Sequence, residues 1–141
     1  MVGQFQKQFP NQSAVYVDLE GTITHKWAAN WVGDRGRFHL LKPKYGEQAV
    51  DWAMRYLQAE DVGMLVIDSV AHLISVKEGE GSASDHFVAA NARLVSRMLR
   101  MFALGVADLQ STGRNITVVF INQIRVKFGA QSFQSPQLSS W

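Results

Sequence analysis

The sequence predicts an α/β protein in which helices flank a mostly parallel sheet. The first observation is the run Met64 to Val70, in which apolar residues lead directly to the carboxylate of Asp68, as in a buried parallel strand that ends at a site. The second is that Ser13 to Asp18 also closes in a carboxylate, and that the apolar run within Asn115 to Asn122 ends in a polar amide. The third is that stretches of helical periodicity separate these runs, which is typical of parallel sheets.

The chain has the length and composition of one domain, residues 1–141. Its 141 residues are 47% hydrophobic and show no break in composition. It has no cysteine, which suits a reducing compartment. No apolar run approaches the roughly 18 residues of a membrane span, so we expect a cytoplasmic protein with no membrane partner.

Charge is distributed unevenly along the chain. Residues 1–85 carry 8 basic and 11 acidic side chains, and residues 86–141 carry 6 basic side chains and one acid, which gives −3 and +5 within the formal +2. A basic second half suits a surface that binds a polyanion such as DNA, and it also suits a solvated face.

The first half of the chain contains two strands and two helices before the Met64 run. Ser13 to Asp18 is a β-rich run with Glu20 two positions beyond it. Trp27 and Trp31 lie at helical spacing in a helix expected over Thr24 to Val32, which Gly33 and Gly36 end. Arg37 to Leu41 is expected to be a strand, and Gly46 to Gln58 an amphipathic helix.

The second half contains a loop, a long helix, a strand and a polar tail. Lys77 to Asp85 is rich in Gly and Ser and is expected to be a surface loop. His86 to Leu104 is a helix with one apolar stripe and a separate basic stripe, Arg93, Arg97 and Arg100, which is either solubilising or a row that faces phosphates. After the strand Asn115 to Asn122, the chain becomes polar from Arg125 onward.

Polar groups follow the predicted strands, and each has two interpretations. Asp68, with Ser69 beside it, fits a carboxylate that accepts a water of hydrated Mg²⁺, or a turn former. Glu20 could polarise a water for attack on a phosphoryl group, or be a solvated turn residue. Gln123 could sense a terminal phosphate, or simply end a strand. The four histidines lack paired metal spacing and no Gly-x-Ser-x-Gly turn exists, which disfavours zinc sites and hydrolase triads.

Five separated motifs resemble the ATPase core of the RecA recombinases in order and near-correct spacing. They are Tyr16-Val-Asp-Leu-Glu20, Tyr45-Gly-Glu-Gln-Ala49, Leu65-Val-Ile-Asp-Ser-Val-Ala71, Ala92-Arg-Leu-Val-Ser-Arg-Met-Leu-Arg100 and Phe120-Ile-Asn-Gln-Ile-Arg-Val-Lys127. The resemblance covers roughly residues 14–130. It implies a RecA-like P-loop NTPase core that here lacks the first, phosphate-loop strand and the C-terminal strands.

The resemblance also implies roles for individual residues. Asp68 would be the Walker B carboxylate near Mg²⁺, with Ser69 beside it, and Glu20 would activate the attacking water. Gln123 would report the γ-phosphate of ATP to a second DNA loop over residues 124–141, and Trp27 would stack on adenine. Lys77 to Asp85 would be the first DNA loop. Further DNA-binding residues implied by the match are Arg93, Ser96, Arg100, Arg125 and Lys127.

The chain departs from this family at the phosphate loop, because no Gly-x-x-x-x-Gly-Lys-Ser/Thr sequence occurs in it. That loop supplies most of the phosphate affinity, so we expect the chain alone to bind ATP weakly and to be inactive. The simplest explanation is an internal fragment of a viral or environmental gene. Its parent would be an ATP- and Mg²⁺-dependent recombinase that forms filaments on single-stranded DNA and pairs it with a duplex. The alternative is a non-catalytic RecA-fold module that binds DNA or a partner.

Overall fold

The computed structural model describes residues 1–73 and 85–123, and over residues 85–91 it describes the backbone alone. The helices are α1 (Val2–Gln8), α2 (His25–Ala28), α3 (Gly46–Gln58) and α4 (Asp85–Ser111), and the strands are β1 (Ser13–Asp18), β2 (Phe38–Leu41), β3 (Val62–Asp68) and β4 (Thr117–Ile121). Short 3₁₀ turns span Arg35–Arg37 and Val70–His72. The expected loop Lys77 to Asp85, apart from the backbone of Asp85, and the expected loop 124–141 lie outside the described residues.

The four strands form one parallel sheet in the order β2-β1-β3-β4. The register pairs Asp18 with Asp68, and Asp68 with Ile121. The carboxyl ends of β1, β3 and β4 therefore lie side by side. The expected α/β class with a parallel sheet is confirmed.

Helices cover both faces of the central strands. On one face, α3 and α4 bury Leu57 and Phe102 against Val15 and Leu65. On the other face, α1 buries Val2 and Phe5 in a second cluster that contains Ala14, Tyr16 and Val66. All six residues of β1 are buried, which explains why its sequence is nearly continuously apolar.

The predicted helix Gly46 to Gln58 is confirmed, but the helix expected over Thr24 to Val32 is wrong beyond Ala28. The Thr24 hydroxyl caps the start of α2 by accepting from the Trp27 N–H at 3.1 Å. After Ala28 the backbone bonds of Asn30 and Trp31 reach three residues back, so the turn tightens and the helix ends.

Two further expectations differ from the structure. The last helix continues to Ser111, and Gly113 follows two residues later with a φ of 81°, the left-handed conformation that favours glycine. β4 is half-buried rather than buried, because it is an edge strand of the described sheet and pairs there with β3 alone.

Among the described residues, no helix combines the length and the apolarity that a membrane span requires.

Candidate functional site

Asp18 closes β1 and organises the loop that follows it. Its carboxylate is 2% exposed and accepts the backbone N–H groups of Gly21 at 2.9 Å and Ile23 at 2.8 Å. Gly21 has a φ of 71°, so this turn favours glycine. Lys42 places Nζ 3.7 Å from Asp18 Oδ2 and donates to the Gly21 carbonyl. Both oxygens of Asp18 are therefore used to shape the loop that carries Glu20.

Glu20 lies at the centre of a side-chain cluster built from three segments. Its Oε1 accepts from Gln123 Nε2 at 2.9 Å and from Ser69 Oγ at 3.2 Å, and it lies 3.2 Å from His72 Nδ1. Within residues 1–73 and 85–123, no hydrogen bond reaches Oε2 of Glu20. One oxygen of this 29% exposed side chain is thus fixed, and the other is available to a water molecule.

Asp68 lies beside this cluster at the end of β3. Its Oδ2 accepts a hydrogen bond from Tyr16 Oη at 2.5 Å. Burial raises the pKa of the Tyr16 phenol far above its usual range, and the hydrogen bond and negative charge of Asp68 raise it further. Tyr16 therefore stays protonated as a donor to Asp68. No described side chain donates to Oδ1 of Asp68.

The described residues fit a metal ion that keeps most of its bound waters better than one that several side chains bind directly. Within the described parts of the chain, no group of three or more acidic or histidine side chains converges on one point. Asp18 is also occupied by backbone donors. The free oxygen of Asp68 can accept a water of hydrated Mg²⁺, an ion that retains several waters and takes few protein oxygens.

Other predicted residues lie away from this cluster or outside the described chain. Trp27, on α2, is 55% exposed and contacts Trp31 edge-on at 5.4 Å between ring centroids. On α4, Arg93, Ser96 and Arg100 are exposed, while Met98 and Phe102 face the core. Arg125 and Lys127 lie outside the described residues.

Three members of the site, His72, Tyr16 and Lys42, are not among the residues that the sequence pattern predicts for it. Tyr16 lies between apolar residues of β1, so the pattern predicts only a strand position for it. His72 follows Asp68 by four residues and has no paired metal spacing. A histidine one turn beyond a strand that ends in a carboxylate is the signal that could have identified it.

The fold and the site define an α/β protein with a parallel sheet and an acidic cluster at the carboxyl ends of its strands, where such sheets bind ligands. The model of the RecA N-terminal domain matches residues 1–140. The chain is 38% identical over 125 residues to protein RecA of Campylobacter fetus subsp. fetus, a match that covers 89% of the chain and 35% of that protein. It is 34% identical over 140 residues to protein RecA of Oleidesulfovibrio alaskensis, covering 99% of the chain and 38% of that protein.

The chain therefore belongs to the RecA family. It spans a little more than a third of the length of the curated relatives that it matches.

Proposed function

We propose that this chain is part of an ATP-dependent DNA recombinase, in which it supplies the carboxylate that activates water and part of the DNA-binding surface. The observation that carries the proposal is the hydrogen bond from Gln123 to Glu20. It joins the loop after β1 to the end of β4, immediately before the segment proposed as the second DNA loop. Membership of the RecA family supports the same function.

Glu20 is proposed as the general base. Its Oε1 is fixed by donors, whereas no described donor reaches Oε2. A water that donates to Oε2 would lose a proton to it as it attacks a phosphoryl group. In this proposal Asp68 holds a water of Mg²⁺, with Ser69 beside it and Trp27 against adenine. The bound ion would neutralise charge that develops on the phosphate oxygens.

ATP itself does not fit this chain alone. The sequence contains no phosphate loop, whose lysine and backbone N–H groups would hold the phosphates. We therefore expect catalysis only in a protein that also contains that loop.

Gln123 is proposed to couple nucleotide to DNA. Its amide donates to the water-activating carboxylate and its backbone leads into residues 124–141. A change in the contacts of Glu20 would thus alter the hydrogen bond of Gln123, the residue directly before that segment. This gives the coupling a physical route through one hydrogen bond.

Single- and double-stranded DNA are the proposed partners, in a helical filament of many subunits. Arg93 and Arg100 are exposed along one side of α4, and no carboxylate in the described part of the chain forms an ion pair with them. Exposed guanidinium groups in a row suit phosphates spaced along a strand. Ser96 on α4 and the undescribed Arg125 and Lys127 complete the proposed surface.

The decisive test is Glu20→Gln in the protein encoded by the complete reading frame. The substitution keeps the size of the side chain and removes its basicity, so DNA-stimulated ATP hydrolysis should fall by about 10²–10⁴-fold. ATP and DNA binding should persist. Glu60→Gln, at an exposed position, is the matched control and should hydrolyse ATP normally. A wild-type rate in Glu20→Gln, or no DNA-stimulated hydrolysis by the complete protein, would contradict the proposal.

DNA binding by the 141-residue chain is tested through its salt dependence. Each phosphate contact contributes about 0.7 to the log–log salt slope on single strands. Arg93→Ala with Arg100→Ala should therefore lower the slope by about 1.4. Arg55→Ala removes an exposed charge from α3, where Arg55 pairs with Asp51, and should change the slope little. An unchanged slope in the double variant would mean that these arginines lie on a solvated face and do not contact DNA phosphates.

A non-catalytic RecA-fold binding module is the second candidate, because the phosphate loop is missing from this sequence. Translating the nucleotides upstream of Met1 separates the two functions. A phosphate-loop sequence in frame supports the recombinase, and a start signal at Met1 supports the module.

A further inference from the structure

We propose that His72 is a positioning residue that fixes the orientation of Glu20. The inference rests on the proposed role of Glu20 and extends it to a residue for which the family resemblance implied no role. His72 lies in the 3₁₀ turn that follows β3, and its Nδ1 is 2.7 Å from Ser69 Oγ and 3.2 Å from Glu20 Oε1. Two polar atoms therefore face the same ring nitrogen.

The arrangement of donors selects one tautomer of His72. If Nδ1 carried no hydrogen, its lone pair would face a carboxylate oxygen of Glu20 at 3.2 Å, which is repulsive. With the hydrogen on Nδ1, the ring donates toward Ser69 and Glu20, and the Ser69 hydroxyl donates to Glu20 Oε1. The three polar atoms of this contact, His72 Nδ1, Ser69 Oγ and Glu20 Oε1, then all have partners, so the Nδ1–H form fits the geometry.

The same geometry excludes a nucleophilic triad. In a triad, serine and carboxylate contact opposite nitrogens of the imidazole, so that the ring can pass a proton between them. Here Ser69 and Glu20 both face Nδ1. The ring consequently holds the carboxylate in place and does not activate the serine.

A purely structural role does not account for the imidazole. The turn is closed by its own backbone, in which His72 N–H donates to the Ser69 carbonyl and Leu73 N–H to the Val70 carbonyl. The His72 side chain is 37% exposed, so it contributes little to the core. Among the described residues, its polar side-chain contacts are those with Ser69 and Glu20. His72 and Gln123 both lie against Oε1 of Glu20, and no donor from the described part of the chain reaches Oε2.

Three substitutions test whether His72 acts as a hydrogen-bond donor that orients Glu20 or only as a ring that fills space in the turn. His72→Asn can place an amide N–H near the position of Nδ1, His72→Gln places it near that of Nε2, and His72→Ala removes the donor. In the complete protein, we expect His72→Ala to lower kcat for ATP hydrolysis by about 10- to 100-fold with little change in KM, because a displaced base costs rate rather than binding. His72→Asn should recover most of the rate and His72→Gln little.

A second measurement reads the geometry without activity, in the 141-residue chain itself. Long-range ¹H–¹⁵N spectra should show the Nδ1–H tautomer for His72. The carboxyl ¹³C resonance of Glu20 should shift in His72→Ala and return toward wild type in His72→Asn, while His25→Ala, which alters an exposed histidine, should leave it in place.

The two measurements distinguish failure of this inference from failure of the proposed function. A complete protein without ATP hydrolysis would refute the proposed function, and the spectra would still decide on His72. An Nε2–H tautomer, an unmoved Glu20 resonance in His72→Ala, or a wild-type kcat in that variant would overturn the positioning role.

Discussion

The two edges of the sheet use polar side chains in different ways. At the amino edge, where the strands begin, polar side chains mostly bind main-chain atoms. Gln6 binds four backbone groups of the segment before β2. Arg114 donates to the carbonyls of Gln58 and Ala59 before β3 and of Val62 at its start. At the carboxyl edge, Glu20 is held by the side chains of Ser69 and Gln123.

This difference separates residues that hold the fold from residues that can respond to a ligand. Main-chain partners are fixed by the strands and loops themselves, so their bonds break when the structure unfolds. Side-chain partners can rotate away at small cost, and a bound ligand can replace them. A concavity of about 660 Å³ also opens at the amino edge, lined in part by Phe5, Gln12 and Arg114, and none of its described lining residues is acidic.

The largest effect on stability is expected at Gln6, on the amino edge. The side chain is 2% exposed; its Nε2 donates to the Asp34 and Arg37 carbonyls and its Oε1 accepts from the Gly33 and Asp34 N–H groups. Gln6→Met keeps the volume and leaves four backbone groups unpaired, so the free energy of unfolding should fall by about 3 kcal/mol.

Denaturant unfolding measures this loss, and Gln4→Met, at an exposed position on the same helix, is the control. A loss below about 1 kcal/mol would show that water can replace these bonds and would remove the contrast between the edges.

The sequence predicted the framework well because its signals are local. The amphipathic pattern of Gly46 to Gln58 matches α3 residue for residue, and the apolar run ending at Asp68 lies in β3. Glu20 and Gln123 each follow a strand, and they lie close together because parallel strands align their carboxyl ends.

The details of the site could not be predicted in this way, because they depend on contacts between distant residues. Glu20 and Gln123 are 103 positions apart in the sequence. No local sequence pattern predicts that Gln123 binds Oε1 of Glu20 and not Oε2. In the sequence, Gln6 is one polar residue of a glutamine-rich segment. It can pair backbone groups of residues 33–37 only because that segment folds over it.

Asp18 sharpens the comparison because it lies at the carboxyl edge and nevertheless binds the main chain. Asp18→Asn should retain one accepted N–H bond, lose the other, and lose the attraction to Lys42. We expect the free energy of unfolding to fall by about 2 kcal/mol, since a buried bond to a charged group is lost.

Equilibrium unfolding gives the value, and Asp51→Asn, at an exposed ion pair with Arg55, provides the control. If Asp18→Asn is as stable as that control, the contacts of Asp18 do not stabilise the fold, and Asp18 resembles the residues whose contacts a ligand can replace.

Tyr16 is expected to give the smallest effect at neutral pH and a distinctive effect in alkali. In the unfolded chain its phenol ionises near pH 10.0, whereas in the fold burial and the neighbouring carboxylate of Asp68 raise the pKa well above that value. Between the two pKa values the folded state binds the extra proton, so stability is retained below pH 10 and falls as the pH rises further, by about 1.4 kcal/mol per pH unit.

Tyr16→Phe should cost about 1 kcal/mol at pH 7, through the lost hydrogen bond to Asp68, and should remove this alkaline slope. Unfolding curves at several pH values compare it with wild type and with Tyr45→Phe, whose exposed ring should retain the slope. Equal slopes in all three proteins would mean that Tyr16 ionises in the folded state. Above pH 10, Asp68 would then face a second negative charge instead of the hydrogen-bond donor that a neutral phenol provides.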